Sequence, residues 1–161
     1  TPIRLEFEAM RDSMLQAAGR LDRNMGGASV NIFKRPFSNR RTIYKFIDRQ
    51  NLPATLRNFD FAIPDSTSPG RYQTTVPQQA LYLMNGPFAE EQARKVVELP
   101  LYSGVSDPGK KVTLLYRYIY ARRPDPEEMA LALKYLQDNT PKRWISYVKT
   151  LLLANEFVFL D

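Results

Sequence analysis

The chain contains neither cysteine nor histidine, and the two absences remove most of the usual chemistry of protein sites. Without cysteine there is no disulfide, no thiolate zinc site, no iron–sulfur cluster and no covalently attached haem. Without histidine there is no imidazole base, no histidine-based triad and no usual axial haem ligand. Acid–base work is left to carboxylates, lysines and tyrosines, and a metal would have to be a hard, oxygen-bound ion such as Ca²⁺ or Mg²⁺. No Asp-x-Asp-x-Asp-Gly loop is present, so no metal, cofactor or catalytic residue is expected of this chain alone.

Long apolar runs are missing too. Nothing approaches the roughly 18 residues that a membrane-spanning helix needs, and no span is expected. The opening Thr1-Pro2-Ile3-Arg4 has neither the charged start nor the apolar stretch of a signal peptide. It also lacks an initiator methionine and enters a helical pattern almost at once. The chain therefore reads as one helical domain over residues 1–161, a fragment of a longer protein.

What is present is ordinary for a folded domain: 43% hydrophobic and 25% charged residues, enough for a core. The net charge of +6 is concentrated. Between residues 31 and 49, Lys34, Arg35, Arg40, Arg41, Lys45 and Arg49 face Asp48 alone, so the basicity is local.

Periodicity predicts a mostly α or all-α fold. Ile3, Phe7, Met10, Met14, Ala17 and Leu21 recur at steps of four and three, one face of a helix over 2–18 that Gly19 would cap. Glu6, Glu8, Arg11 and Asp12 fall mainly elsewhere on its surface. Residues 19–42 carry too many Gly, Asn and Pro to hold a period, and 43–47 fits either a buried strand or one helical turn. A short helix is expected over 52–59 and a loop over 62–75. Thr75-Val-Pro-Gln78 fits a capping box ahead of a helix through Ala80, Leu81 and Met84. Asn85-Gly86-Pro87 stops that helix and starts the next, which carries Phe88, Ala89, Ala93, Val96 and Val97.

Asp107-Pro108, Asp125-Pro126 and Thr140-Pro141 then repeat one device, an N-cap side chain before a proline in the first turn. The stripes behind them are Val112, Leu115, Tyr116, Ile119 and Tyr120; Met129, Ala130, Leu133 and Leu136; and Trp144, Ile145, Val148, Leu151 and Leu152. The short connections suggest antiparallel neighbours. About six helices would surround an irregular, loop-rich middle. Tyr116, Tyr118 and Tyr120 alternate, so some must point outward, where another domain could cover them.

Five strings occur together in order. They are Gly19-Arg-Leu-Asp-Arg-Asn-Met-Gly-Gly27; Arg40-Arg-Thr-Ile-Tyr-Lys-Phe46 with Asn51-Leu-Pro53; Thr75-Val-Pro-Gln-Gln-Ala-Leu-Tyr-Leu-Met-Asn-Gly-Pro-Phe88; Leu115-Tyr-Arg-Tyr-Ile-Tyr-Ala-Arg-Arg-Pro-Asp-Pro-Glu-Glu128; and Ala154-Asn-Glu-Phe-Val-Phe-Leu-Asp161. In this set the chain resembles the C-terminal domain of unknown function of planctomycete-type, cytochrome-c-associated multidomain proteins. The resemblance implies an exported parent, periplasmic or envelope-associated, whose other domains are the partners. It implies no mechanism.

The basic segment is the leading site candidate. Its cations interleave with Phe33, Phe37, Tyr44 and Phe46, a composition suited to an anion with a stackable face. Arg40, Arg41, Tyr44 and Lys45, with Arg71 from the following loop, are the expected ligand residues. The partner would be another domain, an anionic glycan or an acidic protein; no nucleic-acid motif accompanies the segment. The competing reading makes the aromatics core and the cations a solvated face or internal ion pairs. The Leu21–Gly27 turn lacks the Gly-Lys-Ser/Thr of a phosphate loop, and Asp22 is expected to pair with Arg20 or Arg23. A non-catalytic structural or binding module leads. An active site shared with an upstream domain, using Arg40, Arg41 or Arg71, stands second and a nucleic-acid module third.

Overall fold

The computed structural model describes residues 3–62, 74 and 77–160. In chain order the elements are β1 (Ile3–Arg4), α1 (Phe7–Ala17), a 3-10 turn at Thr42–Tyr44, α2 (Ala54–Asn58), α3 (Pro77–Asn85), α4 (Pro87–Val97), α5 (Pro100–Ser103), α6 (Pro108–Tyr120), α7 (Pro126–Tyr135), α8 (Pro141–Leu153), α9 (Asn155–Val158) and β2 (Phe159–Leu160). The fold is mostly helical, as expected. Six of the described helices are nine residues or longer, and α2, α5 and α9 are short additions. No described helix is long and apolar enough to cross a membrane.

The helix ends follow local chemistry. Lys110 N–H donates to Asp107 Oδ1 at 2.8 Å. Asp125 and Glu128 form a full capping box, each side chain accepting from the other's backbone N–H at 2.8 Å. Arg143 N–H reaches Thr140 Oγ1 at a longer 3.4 Å. Helix α1 ends in a Schellman motif: Arg20 N–H bonds Leu15 O, Gly19 N–H bonds Gln16 O, and Gly19 takes φ +67°, which only glycine adopts without cost.

Two apolar clusters form the interior. One joins Ala93 and Val96 of α4, Val112 and Leu115 of α6, Ala132 of α7 with Leu136 just past its end, and Trp144, Val148 and Leu152 of α8. The principal helix pair is α4 against α8, rather than neighbours in sequence. The second packs Phe7, Met10 and Met14 of α1 on Ile32, Leu52, Leu56, Phe59, Ala89 and Val158. Each side chain of this kind, removed fully from water, contributes about 1.5–3 kcal/mol.

Several expectations need correction. The first helix begins at Phe7, not residue 2: Ile3–Arg4 instead pairs antiparallel with Phe159–Leu160, and Ile3 is exposed. Of the two alternatives for 43–47 the strand is not formed: a single 3-10 turn, Thr42–Tyr44, leads into an isolated bridge between Val30 and Lys45. On α7 Ala132 is buried, as is Leu136 just past its end, while Ala130 and Leu133 face outward. The alternating tyrosines divide as expected, Tyr116 buried and Tyr118 exposed. Arg71, Thr75 of the expected capping box and most of the expected 62–75 loop lie outside the described residues.

Candidate ligand-binding site

The irregular middle of the chain is held by one polar strip of α1. Glu8, Arg11 and Asp12 are spaced by three and four residues, which stacks them on one helical face. Glu8 Oε1 accepts from Lys45 Nζ at 2.7 Å. Arg11 donates to Ser38 O at 2.6 Å, to Thr42 Oγ1 at 3.1 Å and to Arg40 O at 3.2 Å. Asp12 Oδ1 accepts from Thr42 N–H at 2.8 Å and from Thr42 Oγ1 at 2.6 Å. The strip therefore binds the basic segment by its backbone as well as by its charges.

Arg11 is the unexpected member. It is 4% exposed, and its direct hydrogen-bond acceptors above are neutral oxygens. Burial pulls its pKa down from 12.5 to about 10, against the opposing pull of Asp12. The guanidinium also lies over the Phe88 ring at 4.8 Å, an arrangement that favours a desolvated cation.

The expected ligand residues come together around a different task. The Arg40 guanidinium donates to Ala28 O at 2.6 Å and to Gly26 O, and it stacks 4.1 Å over the Tyr44 ring. Gly26 N–H donates to Tyr44 Oη at 2.7 Å. Both side chains thus grip the Gly26–Gly27 turn. Lys45 is buried against Glu8 and lies over Phe61 at 4.6 Å. Arg41 is the open one: its side chain is 49% exposed and reaches Asp12 at 3.8 Å. It lines a shallow groove of about 570 Å³ with Asp12, Arg23, Tyr118 and Phe157. The expected Asp22 ion pair is not formed. Asp22 Oδ1 accepts from Asn24 N–H, Arg20 pairs with Glu91 at 2.7 Å, and Arg23 donates to Gln16.

Beneath the clamped segment lies a cavity of about 530 Å³, within the range of small-molecule pockets. Phe7, Phe33, Phe37, Phe46, Tyr82 and Phe88 ring it, with Met10 and Met14 at its wall and Arg11, Asn31, Asp48 and Asn51 as its polar lining. The rings are mutually ordered: Phe7 packs on Phe33 at 6.1 Å, and Phe37 meets Phe88 edge-on at 5.4 Å. A second cavity of about 630 Å³ lies between α3, α8 and β2. Among the described residues no group of three or more Asp and Glu side chains is placed to hold a metal ion.

Composition could not locate this pocket, because its rings come from α1, the irregular segment and the α3–α4 junction. A signal for the clamp did exist. Carboxylates at 8 and 12 share one helical strip, and a later segment with a surplus of five positive charges needs anions from another element. The matching sequence family is PSD1, a protein of unknown function (DUF1553), over residues 1–136. No curated protein and no solved structure matches the chain.

Proposed function

Since the chain belongs to the PSD1 family of unknown function, we propose that it is a non-catalytic binding module whose site is the phenyl-ringed pocket beside α1. One observation carries the reading: a cavity of about 530 Å³ is walled by aromatic rings, with Arg11 of the Glu8–Arg11–Asp12 clamp in its polar lining. An apolar or aromatic body fits such a wall, with Asn31, Asn51 and Asp48 available to orient it.

The wider setting is part of the proposal. The parent is an exported, periplasmic or envelope protein of planctomycete type, and its other domains, one of them cytochrome-c-like, are the module's partners. Arg41, with Arg23 in the groove beside α6, supports a second reading in which an anionic glycan or acidic protein surface docks there. Its support is the exposure of Arg41, whereas Arg40, Tyr44 and Lys45 are occupied within the chain. A shared active site using Arg40 has correspondingly less support.

The test is titration with the neutral apolar fluorophore N-phenyl-1-naphthylamine. Saturable binding at one site is expected. Phe46 lines the pocket yet is 56% exposed, so Phe46→Ala should weaken binding about fivefold, equivalent to roughly 1 kcal/mol of ring contact, without lowering the melting temperature. Unsaturable binding, or binding indifferent to Phe46→Ala, would sink the reading.

A further inference from the structure

A guanidinium carries five N–H groups, and Arg11 spends three of them inside the chain. Nη1 gives both of its protons, to Arg40 O and Thr42 Oγ1, and Nη2 gives one to Ser38 O. Nε–H and one Nη2 proton donate to no described residue. Nε is nevertheless not among the sealed, unpartnered polar atoms of the described residues, so it keeps a small accessible face although the residue as a whole is buried. Arg11 lines the phenyl-ringed cavity and neither the second cavity nor the groove beside α6. Its remaining donors therefore open into the ring-lined space.

The cation is also short of negative charge. Its three acceptors are neutral oxygens, and Asp12 spends Oδ1 on Thr42 while its Oδ2 faces Arg41 at 3.8 Å. Burial pulls the Arg11 pKa down to about 10, and Asp12 offsets only part of that. The rest of the lining limits what an anion there can be. Asp48 is the other charged residue of the described wall; it is exposed, and its Oδ1 accepts from Gln50 N–H at 2.9 Å. Asn31 and Asn51 are exposed too, so these three mark the mouth, while Met10, Arg11 and Met14 form a buried inner wall. One cation inside and one carboxylate at the mouth favour a single negative charge on the buried end of the ligand. A dianion would find one counter-charge for two.

The aromatic wall begins at the cation itself. Phe88 lies 4.8 Å from the guanidinium and meets Phe37 edge-on at 5.4 Å. We propose that the pocket takes an aromatic monocarboxylate, a two-ring acid of the arylacetate type, with its carboxylate on Arg11 Nε–H and its rings among Phe7, Phe33, Phe37 and Phe88. The inference rests on the pocket reading above and adds the ligand class. A carboxylate forms a charge-assisted hydrogen bond to a cation whose desolvation the fold has already completed. Rings gain edge and face contacts here that an alkyl body lacks. Two rings rather than one follow from the volume of about 530 Å³, which lies in the range of drug-sized ligands.

The experiment takes the full chain with N-phenyl-1-naphthylamine bound and displaces the dye with three ligands of one shape, naphthylacetate, naphthylacetamide and naphthylethylammonium. The carboxylate should bind about tenfold more tightly than the amide, and the ammonium more weakly than either. In heteronuclear NMR spectra the Arg11 Nε–H resonance should move further downfield with naphthylacetate than with the amide. Asp48→Asn, which removes the charge at the mouth and keeps Arg11 in place, should tighten naphthylacetate about twofold and leave the amide unchanged. Equal displacement by carboxylate and amide refutes the ligand class and leaves the pocket standing. A preference for the carboxylate with an unmoved Arg11 Nε–H puts the anion elsewhere and overturns the assignment. Weaker naphthylacetate binding in Asp48→Asn overturns the charge argument. Failure of the dye to bind at all refutes the pocket itself.

Discussion

Replacing Arg11 by methionine separates the two costs that meet at this buried cation. The substitution keeps an unbranched apolar stem along the pocket wall and removes three donors. Ser38 O, Arg40 O and Thr42 Oγ1 then lose a partner, at about 1–3 kcal/mol for each acceptor left in a part-buried site, or about 6 kcal/mol together. Against this stands relief of desolvation. A pKa held near 10 instead of 12.5 corresponds to about 3 kcal/mol by which burial disfavours the charged form. The difference is a net loss of about 3 kcal/mol, measurable as an earlier midpoint in urea. The loss should be local in its first effect: with Ser38, Arg40 and Thr42 unhooked, trypsin should cut after Arg40 and Arg41 much faster than in the native chain. A variant as stable as the parent would refute the reasoning. So would equal destabilisation with unchanged cleavage, because the segment would then be anchored by something other than Arg11. Lysine at this position should not rescue, since its single ammonium cannot span three oxygens fixed around a planar fork.

Three further outcomes are expected. Gly86→Ala would place a Cβ 2.8 Å from Tyr82 O, so the α3–α4 corner must shift; a loss of about 1–3 kcal/mol in thermal unfolding is expected, although the backbone angles at Gly86 suit alanine. Gln92 is fully buried with neither amide atom hydrogen-bonded to a described residue, and Gln92→Met should raise stability by about 1–2 kcal/mol in the same assay. Arg122 donates to both Glu128 oxygens at 2.7 Å and holds that carboxyl below its ordinary value of 4.5; the group's stabilisation is complete above the ordinary value and is lost as pH falls through the lowered one, so Glu128→Gln should flatten the melting temperature's acid dependence in that window.

The helices were legible where one local device fixed them. Asp107, Asp125 and Thr140 each precede a proline, and the stripes on α6 and α8 follow a strict period, so side-chain chemistry and burial gave the same answer. Helix α7 was less legible because it is apolar on more than one side: Leu133 sits on the expected stripe yet stands exposed, and only packing decides which face turns in. Residues 3–4 continued the period of α1 by coincidence, and their partner lies at the other end of the sequence, beyond the reach of any window. The site was less legible still. Arg11 read as surface because arginine usually is; what buries it is a coil segment twenty-seven or more residues away. Conversely, the basic segment looked like a ligand surface because its anions are supplied by a different element.

The small β1–β2 ribbon has a geometric corollary. Ile3 lies opposite Leu160, so the two ends of the described chain, residues 3 and 160, are neighbours. The fold can be inserted into a surface loop of another protein with little separation of the two junctions. By the same geometry, a few glycines and serines would close the chain into a ring, and new ends cut at the exposed Ala121 corner would give a circular permutant that keeps the helix pairings. Such a molecule would let the module be mounted on a support by one edge.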